Sequence, residues 1–186
     1  MVWMSFYRSR RVATQTYKIV LIMFLELKKA RILLFVLLAS LSFTAISETS
    51  IETVKDLRVL QRQSEAENLP VLLLMTAEDC GFCVAIRKHY LKPMIDSGEY
   101  ASKILFRQLY IEDFSYLRNL QGDLVTGDSI ALKYDVEVTP TILFINSNMQ
   151  ELGERIVGIN SIDYFDKLLK THISLARTHM LNKSKH

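Results

Sequence analysis

Cys80 and Cys83 are the only cysteines in 186 residues, and they sit in Cys80-Gly81-Phe82-Cys83. Two sulfurs three residues apart fall on one face of a helix, within reach of each other for thiol–disulfide exchange. Where such a pair opens a helix, the free amides and the macrodipole favour a thiolate at the first cysteine. Cys80 is then the exposed nucleophile and Cys83 the more buried resolving thiol. A bridge between them closes a very small loop and adds little stability by the entropy argument, so its value is chemical. Two other readings stay open on these residues alone. Structural zinc wants four ligands, but His89, His172, His179 and His186 show no spacing that completes a set. Two inert core cysteines fit poorly among the polar, turn-forming Glu78, Asp79 and Gly81.

Chemistry of this kind needs a strand to end at the pair and a helix to start there. Val71–Met75 is a continuous apolar run after Pro70, of the type buried on both faces of a sheet. The spacing predicts a helix from Cys80 to about Leu91, and a second central strand over Ile104–Ile111. Upstream, Ile51, Val54, Leu57, Val59 and Leu60 recur at helical spacing among charges, predicting a helix to about Glu67 capped by Ser50. Downstream, residues 113–128 read as a polar loop with a helical turn, and Ser129–Tyr134 as a short helix. Thr141–Ile145 and Glu151–Val157 read as strands joined by the turn-rich Asn146–Gln150. Ser161 caps a last helix with Ile162, Phe165, Leu168, Leu169, Ile173 and Ala176 on one face. Residues from Leu181 read as a tail. The order predicts the α/β class, a mixed sheet covered by helices on both faces.

Charge is unevenly distributed. Residues 1–47 carry seven Lys or Arg and one acid, +6, while the rest carries 16 basic and 19 acidic residues, −3. A mildly acidic domain behind a basic leader argues against nucleic acid as a partner. Within that leader, Lys28, Lys29 and Arg31 precede the fifteen largely apolar residues Ile32–Ile46, and Ala45-Ile46-Ser47 has small-x-small spacing. These are the three parts of a secretory signal peptide, and fifteen residues fall short of the about 20 that span a bilayer. An uncleaved anchor is the alternative. Met23 starts a leader of ordinary proportions, which makes it the candidate initiator. The domains expected are therefore 1–47, leader, and 48–186.

With those elements in place, the chain from about Ile51 to His172 resembles the thioredoxin superfamily, particularly its secreted reductase-like and isomerase-like members. Thr76–Cys83 sits where that family has its active-site stretch, and Ala131–Thr141 is similar to the segment leading to its cis-proline. Arg155–Gly158 resembles its last strand and closing glycine. The resemblance implies a thioredoxin-like fold, a cis bond at Pro140, and a Thr139 backbone that meets a substrate strand. It implies protein thiols and disulfides as substrates and no cofactor. The histidine spacing gives no metal set, the leader directs the domain to the periplasm, and without an obvious dimerisation extension a monomer is the default expectation. The departures are specific. Leu74 stands where thioredoxins bury an aspartate, Gln108 where they have a lysine, and Asp79 where an aromatic precedes the first cysteine. Proton transfer to the resolving thiol must use another group, with Glu78 the candidate. Strong oxidants of the superfamily have a histidine between the cysteines, whereas Gly81-Phe82 is closer to reductants and isomerases. Asp79 also disfavours a second negative charge beside Cys80. The expectation is a reducing or isomerising oxidoreductase fed by an electron donor in the inner membrane. A dithiol oxidase and a non-catalytic binding or chaperone module are the alternatives.

Overall fold

The computed structural model describes residues 51–112, 114–159 and 162–183, together with Lys28. The leader and the candidate start at Met23 lie outside the described residues apart from Lys28. So do the Ser50 and Ser161 caps and residues 184–186.

Every residue of β2 (Val71–Thr76) is buried, as its apolar run requires of a central strand. It pairs in parallel with β3 (Leu105–Tyr110) and antiparallel with β6 (Thr141–Ile145). With β1 (Glu52–Thr53) beside β3 and β7 (Ile156–Val157) beside β6, the order is β1-β3-β2-β6-β7. The two-residue period of β2 sorts its side chains between two cores. Val71, Leu73 and Met75 pack with Leu57 and Leu60 of α1 (Leu57–Glu67) and with Ile130 and Ala131 of a helix at Gly127–Lys133. Leu72 and Leu74 face α2 (Gly81–Ile86), α3 (Lys92–Asp96) and the long C-terminal helix Ile162–Lys183, through Ile86, Met94, Phe165, Leu169 and Ile173. The helices Gly127–Lys133 and Ile162–Lys183 are α4 and α5. Each fully buried apolar side chain of this kind contributes about 1.5–3 kcal/mol. The sheet is mixed and covered by helices on both faces, which is the thioredoxin-like architecture expected from the sequence.

Several local expectations are corrected. The helix expected from Ile51 starts only at Leu57, because Glu52 and Thr53 pair with Arg107 and Gln108 of β3 instead. Asp56 is the cap: its backbone is extended and its carboxylate accepts from the Arg58 amide at 2.8 Å. The helix after Cys80 does not end at Leu91. It passes through a π turn, Arg87–Leu91, into α3, of which Pro93 is the second residue. Within the stretch expected as a loop, β4 (Tyr116–Arg118) and β5 (Leu124–Thr126) pair antiparallel as a hairpin that runs directly into α4. Finally, Glu151–Val157 is not one strand but a single bridge, Ile145 to Glu151, followed by β7. In α5, Leu168 is 40% exposed and lies off the buried face, while Met180 is buried. Leu181–Lys183 belong to that helix rather than to a tail.

Candidate active site

β2 ends at Thr76, and after Ala77, Glu78 and Asp79 the chain reaches Cys80, which caps α2. The Cys83 amide donates to Cys80 Sγ at 3.1 Å, and the Val84 amide to the Cys80 carbonyl at 3.1 Å. The two sulfurs form a disulfide, with Cα atoms 5.2 Å apart. Cys80 is half-buried at the surface, and Cys83 is completely enclosed. The asymmetry follows from the helix: Cys83 and Ile86 face the sheet, while Gly81 and Phe82 face solvent.

Thr139 and Pro140 arrive at the same place from the start of β6. Their peptide bond is cis, as expected. Pro140 is buried and its carbonyl accepts from the Gly158 amide at 2.8 Å, so β6 and the chain after β7 hold it. Thr139 lines a cleft of about 430 Å³ with the loop and helix start from Ala77 to Phe82. The structure thus gathers Cys80 and Thr139 around one opening, with Cys83 and Pro140 buried behind them.

Beneath the pair, Leu74 is fully buried and apolar, next to Gln108 across the β2–β3 ladder. Gln108 donates through Nε2 to the Ile51 carbonyl and to Thr53 Oγ1, each at 3.1 Å, and so ties β1 to the sheet. The charged side chain near this layer comes from α2's own continuation. Arg87 donates to the buried Thr76 hydroxyl at 2.7 Å and, more distantly, to Gln108 Oε1 at 3.5 Å. Arg87 stands one turn after Cys83 along the same helix, and its guanidinium reaches the end of β2.

The remaining cleft residues, Glu112 and Phe114, were missed from sequence. Glu112 Oε1 accepts the Glu78 amide at 2.5 Å, fixing the loop before Cys80. Its Oε2 is buried and has no hydrogen-bond partner among the described residues. Glu78, the sequence candidate for proton transfer, is exposed and contributes its backbone to this contact rather than a buried carboxyl. The register of the sheet explains where Glu112 falls. β2 and β3 run in parallel with Thr76 opposite Tyr110, so residues two beyond each end, Glu78 and Glu112, come side by side. Phe114 reaches the cleft because the hairpin begins just after β3. It is 57% exposed, and Phe82 is 68% exposed.

The family model of the thioredoxin-like domain matches residues 58–173. Among solved structures, thioredoxin NaTrxh from Nicotiana alata is 18% identical, with 68% of this chain and 96% of that one covered and a TM-score of 0.46. The poplar thioredoxin h PtTrxh4 is 16% identical over 66% of this chain and 96% of its own, with a TM-score of 0.47. Thioredoxin f from spinach chloroplast, long form, is 22% identical over 69% and 87%, with a TM-score of 0.47. No curated protein matches.

Proposed function

The chain belongs to the thioredoxin-like domain family, and from that premise we propose that it is a thiol–disulfide oxidoreductase of the cell envelope that reduces or isomerises protein disulfides. The observation that carries this reading is the bridged pair at the mouth of a cleft, with Cys80 accessible and Cys83 enclosed behind it. In the reduced protein, the Cys80 thiolate attacks a substrate disulfide and one substrate sulfur leaves as a thiolate, which takes from solvent the proton that Cys80 had released. Cys83 then gives up its proton and attacks Cys80 Sγ, and the second substrate sulfur departs. Two electrons and two protons pass from the pair to the substrate, and the Cys80–Cys83 disulfide remains. The Cys83 amide directed at Cys80 Sγ supports a thiolate there. Thr139 offers its backbone to the substrate strand, and Pro140 fixes that backbone.

The direction of electron flow rests on Gly81-Phe82, which lacks the histidine of strong oxidants. The compartment rests on the basic leader and its apolar segment. A donor in the inner membrane would return the electrons. Cys83→Ala expressed in cells is the test. It should accumulate mixed disulfides on Cys80, both with polypeptide substrates and with the donor, and purified wild type should reduce insulin with dithiothreitol as the source. Efficient oxidation of a reduced, denatured substrate with no insulin reduction would instead establish a dithiol oxidase. Absence of any trapped species, together with inertness toward small disulfides, would leave a binding module.

A further inference from the structure

Three carboxylates and two aromatic rings line the cleft, and among the described residues no Lys, Arg or His does: Glu78, Asp79 and Glu112 stand with Phe82 and Phe114. Both rings are more than half exposed beside the disulfide, an apolar surface of the kind that marks an interaction site. The Glu112 carboxylate is the distinctive element. One oxygen is occupied by the Glu78 amide, and the other is buried with no donor among the described residues. That second oxygen is closed off from the cleft, so the group presents its charge there rather than a free hydrogen-bonding site. A carboxylate beside an exposed ring matches one ligand shape, a long cationic side chain. Its aliphatic stem lies along the ring while its charged head stays among the three carboxylates of the cleft.

We propose that the cleft selects extended substrate segments with a Lys or Arg next to the reacting cysteine, Glu112 supplying the counter-charge and Phe114 the surface for the stem. This rests on the redox reading of the same cleft and names its substrate class. Glu112 and Phe114 determine specificity; the sulfur chemistry stays with Cys80 and Cys83.

Two peptides identical except for Lys or Glu beside a cysteine, each capped as its mixed disulfide with 2-mercaptoethanol, test the proposal. The reduced protein is assayed on both and on neutral bis(2-hydroxyethyl) disulfide, with each peptide rate divided by that with free dithiothreitol. Wild type should favour the Lys peptide about tenfold in kcat/KM, as for a charge pair at a contact rim. Raising ionic strength from about 0.01 M to about 1 M should shrink that ratio severalfold. Glu112→Gln, whose side-chain oxygen still accepts the Glu78 amide, should bring the ratio near unity. Phe114→Ala should lower kcat/KM for the Lys peptide about threefold. Equal normalised rates for the two peptides, a salt-independent ratio, or an undiminished ratio in Glu112→Gln would each overturn the proposal. The salt series needs only wild type, so a poorly folding variant does not spare it. Failure to reduce any of the three disulfides would strike the redox reading itself, and the proposal with it. Reduction of the neutral disulfide without discrimination between peptides removes only the proposal.

Discussion

Cys80 reaches the cleft on α2, whose inner residues Cys83 and Ile86 are completely buried and whose continuation buries Leu91. Phe114 reaches it at the foot of the β4–β5 hairpin, where Leu117 is the one fully buried apolar side chain and Leu120 and Val125 are partly buried. The hairpin is held mostly by polar contacts. The Arg118 amide donates to the Lys55 carbonyl at 2.9 Å, the Gly127 amide to the Ser115 carbonyl at 2.6 Å, and the Arg118 guanidinium to the Gly122 carbonyl at 2.8 Å. Apolar burial is worth more than exposed or half-exposed hydrogen bonds, each about 0.5–1.5 kcal/mol net. The part of the cleft that carries the sulfur is therefore fixed by the core, and the part that would meet the substrate is hung on a weaker support. Specificity can change there without disturbing the redox pair.

The strongest way to break that distinction is Gly127→Ala. A Cβ at Gly127 would lie 1.9 Å from the Tyr110 carbonyl oxygen and 3.2 Å from that of Glu112, both backbone atoms that cannot rotate away. The junction between β5 and α4 must shift off the end of β3, at a cost of about 3 kcal/mol. Denaturant unfolding should show that loss, and hydrogen exchange should show it first in hairpin amides such as Arg118. The reduction potential of the Cys80–Cys83 pair should stay at the wild-type value. An equal loss of protection in α2 would mean that the two regions are one cooperative unit.

The same contrast explains what the sequence disclosed. β2, β3, β6, the pair and the cis bond were legible because apolar runs and a motif mark residues whose partners are the core itself. β1 was hidden because Ile51, Val54, Leu57 and Leu60 keep a three-residue spacing across a strand, a cap and a helix. That spacing imitates one helix, and the pairing that overrides it comes from β3, more than fifty residues later. The hairpin was hidden because its strands have three residues each and Leu117 alone is fully buried, too little for an alternation to show. Glu112 lay beyond reach without the strand order, which alone makes it a neighbour of Glu78.

Arg87→Met probes the other region. The guanidinium donates to Thr76 Oγ1 and Gln108 Oε1 beneath the pair, and methionine keeps much of the stem while removing both donors. The expected cost is about 1–2 kcal/mol in denaturant unfolding, with protection lost in α2 and at Thr76 while the hairpin stays as in wild type. If the cost instead appears in the hairpin, Arg87 is not confined to the layer under Cys83.

The smallest expected effect is the most local. Asp56 caps α1 and bridges to Arg118 of β4, and Arg58, its ion-pair partner at 2.6 Å, lies where a side chain on Gly122 would stand. The Arg58 side-chain hydrogen bonds hold the Asp56 carboxyl down to about 2 from 3.8. A depressed folded-state value means the unfolded chain takes up the proton more readily. The contribution is thus fully present above about pH 4 and is lost as pH falls toward 2. In that window the hairpin amides should lose exchange protection before those of β2 and α2. Asp56→Asn, which can still cap α1, should remove this acid-dependent difference while leaving the hairpin folded at neutral pH. Should the hairpin keep its protection down to pH 2 in wild type, its support lies in Leu117 and the backbone bonds, and the cleft's two regions differ less than their burial indicates.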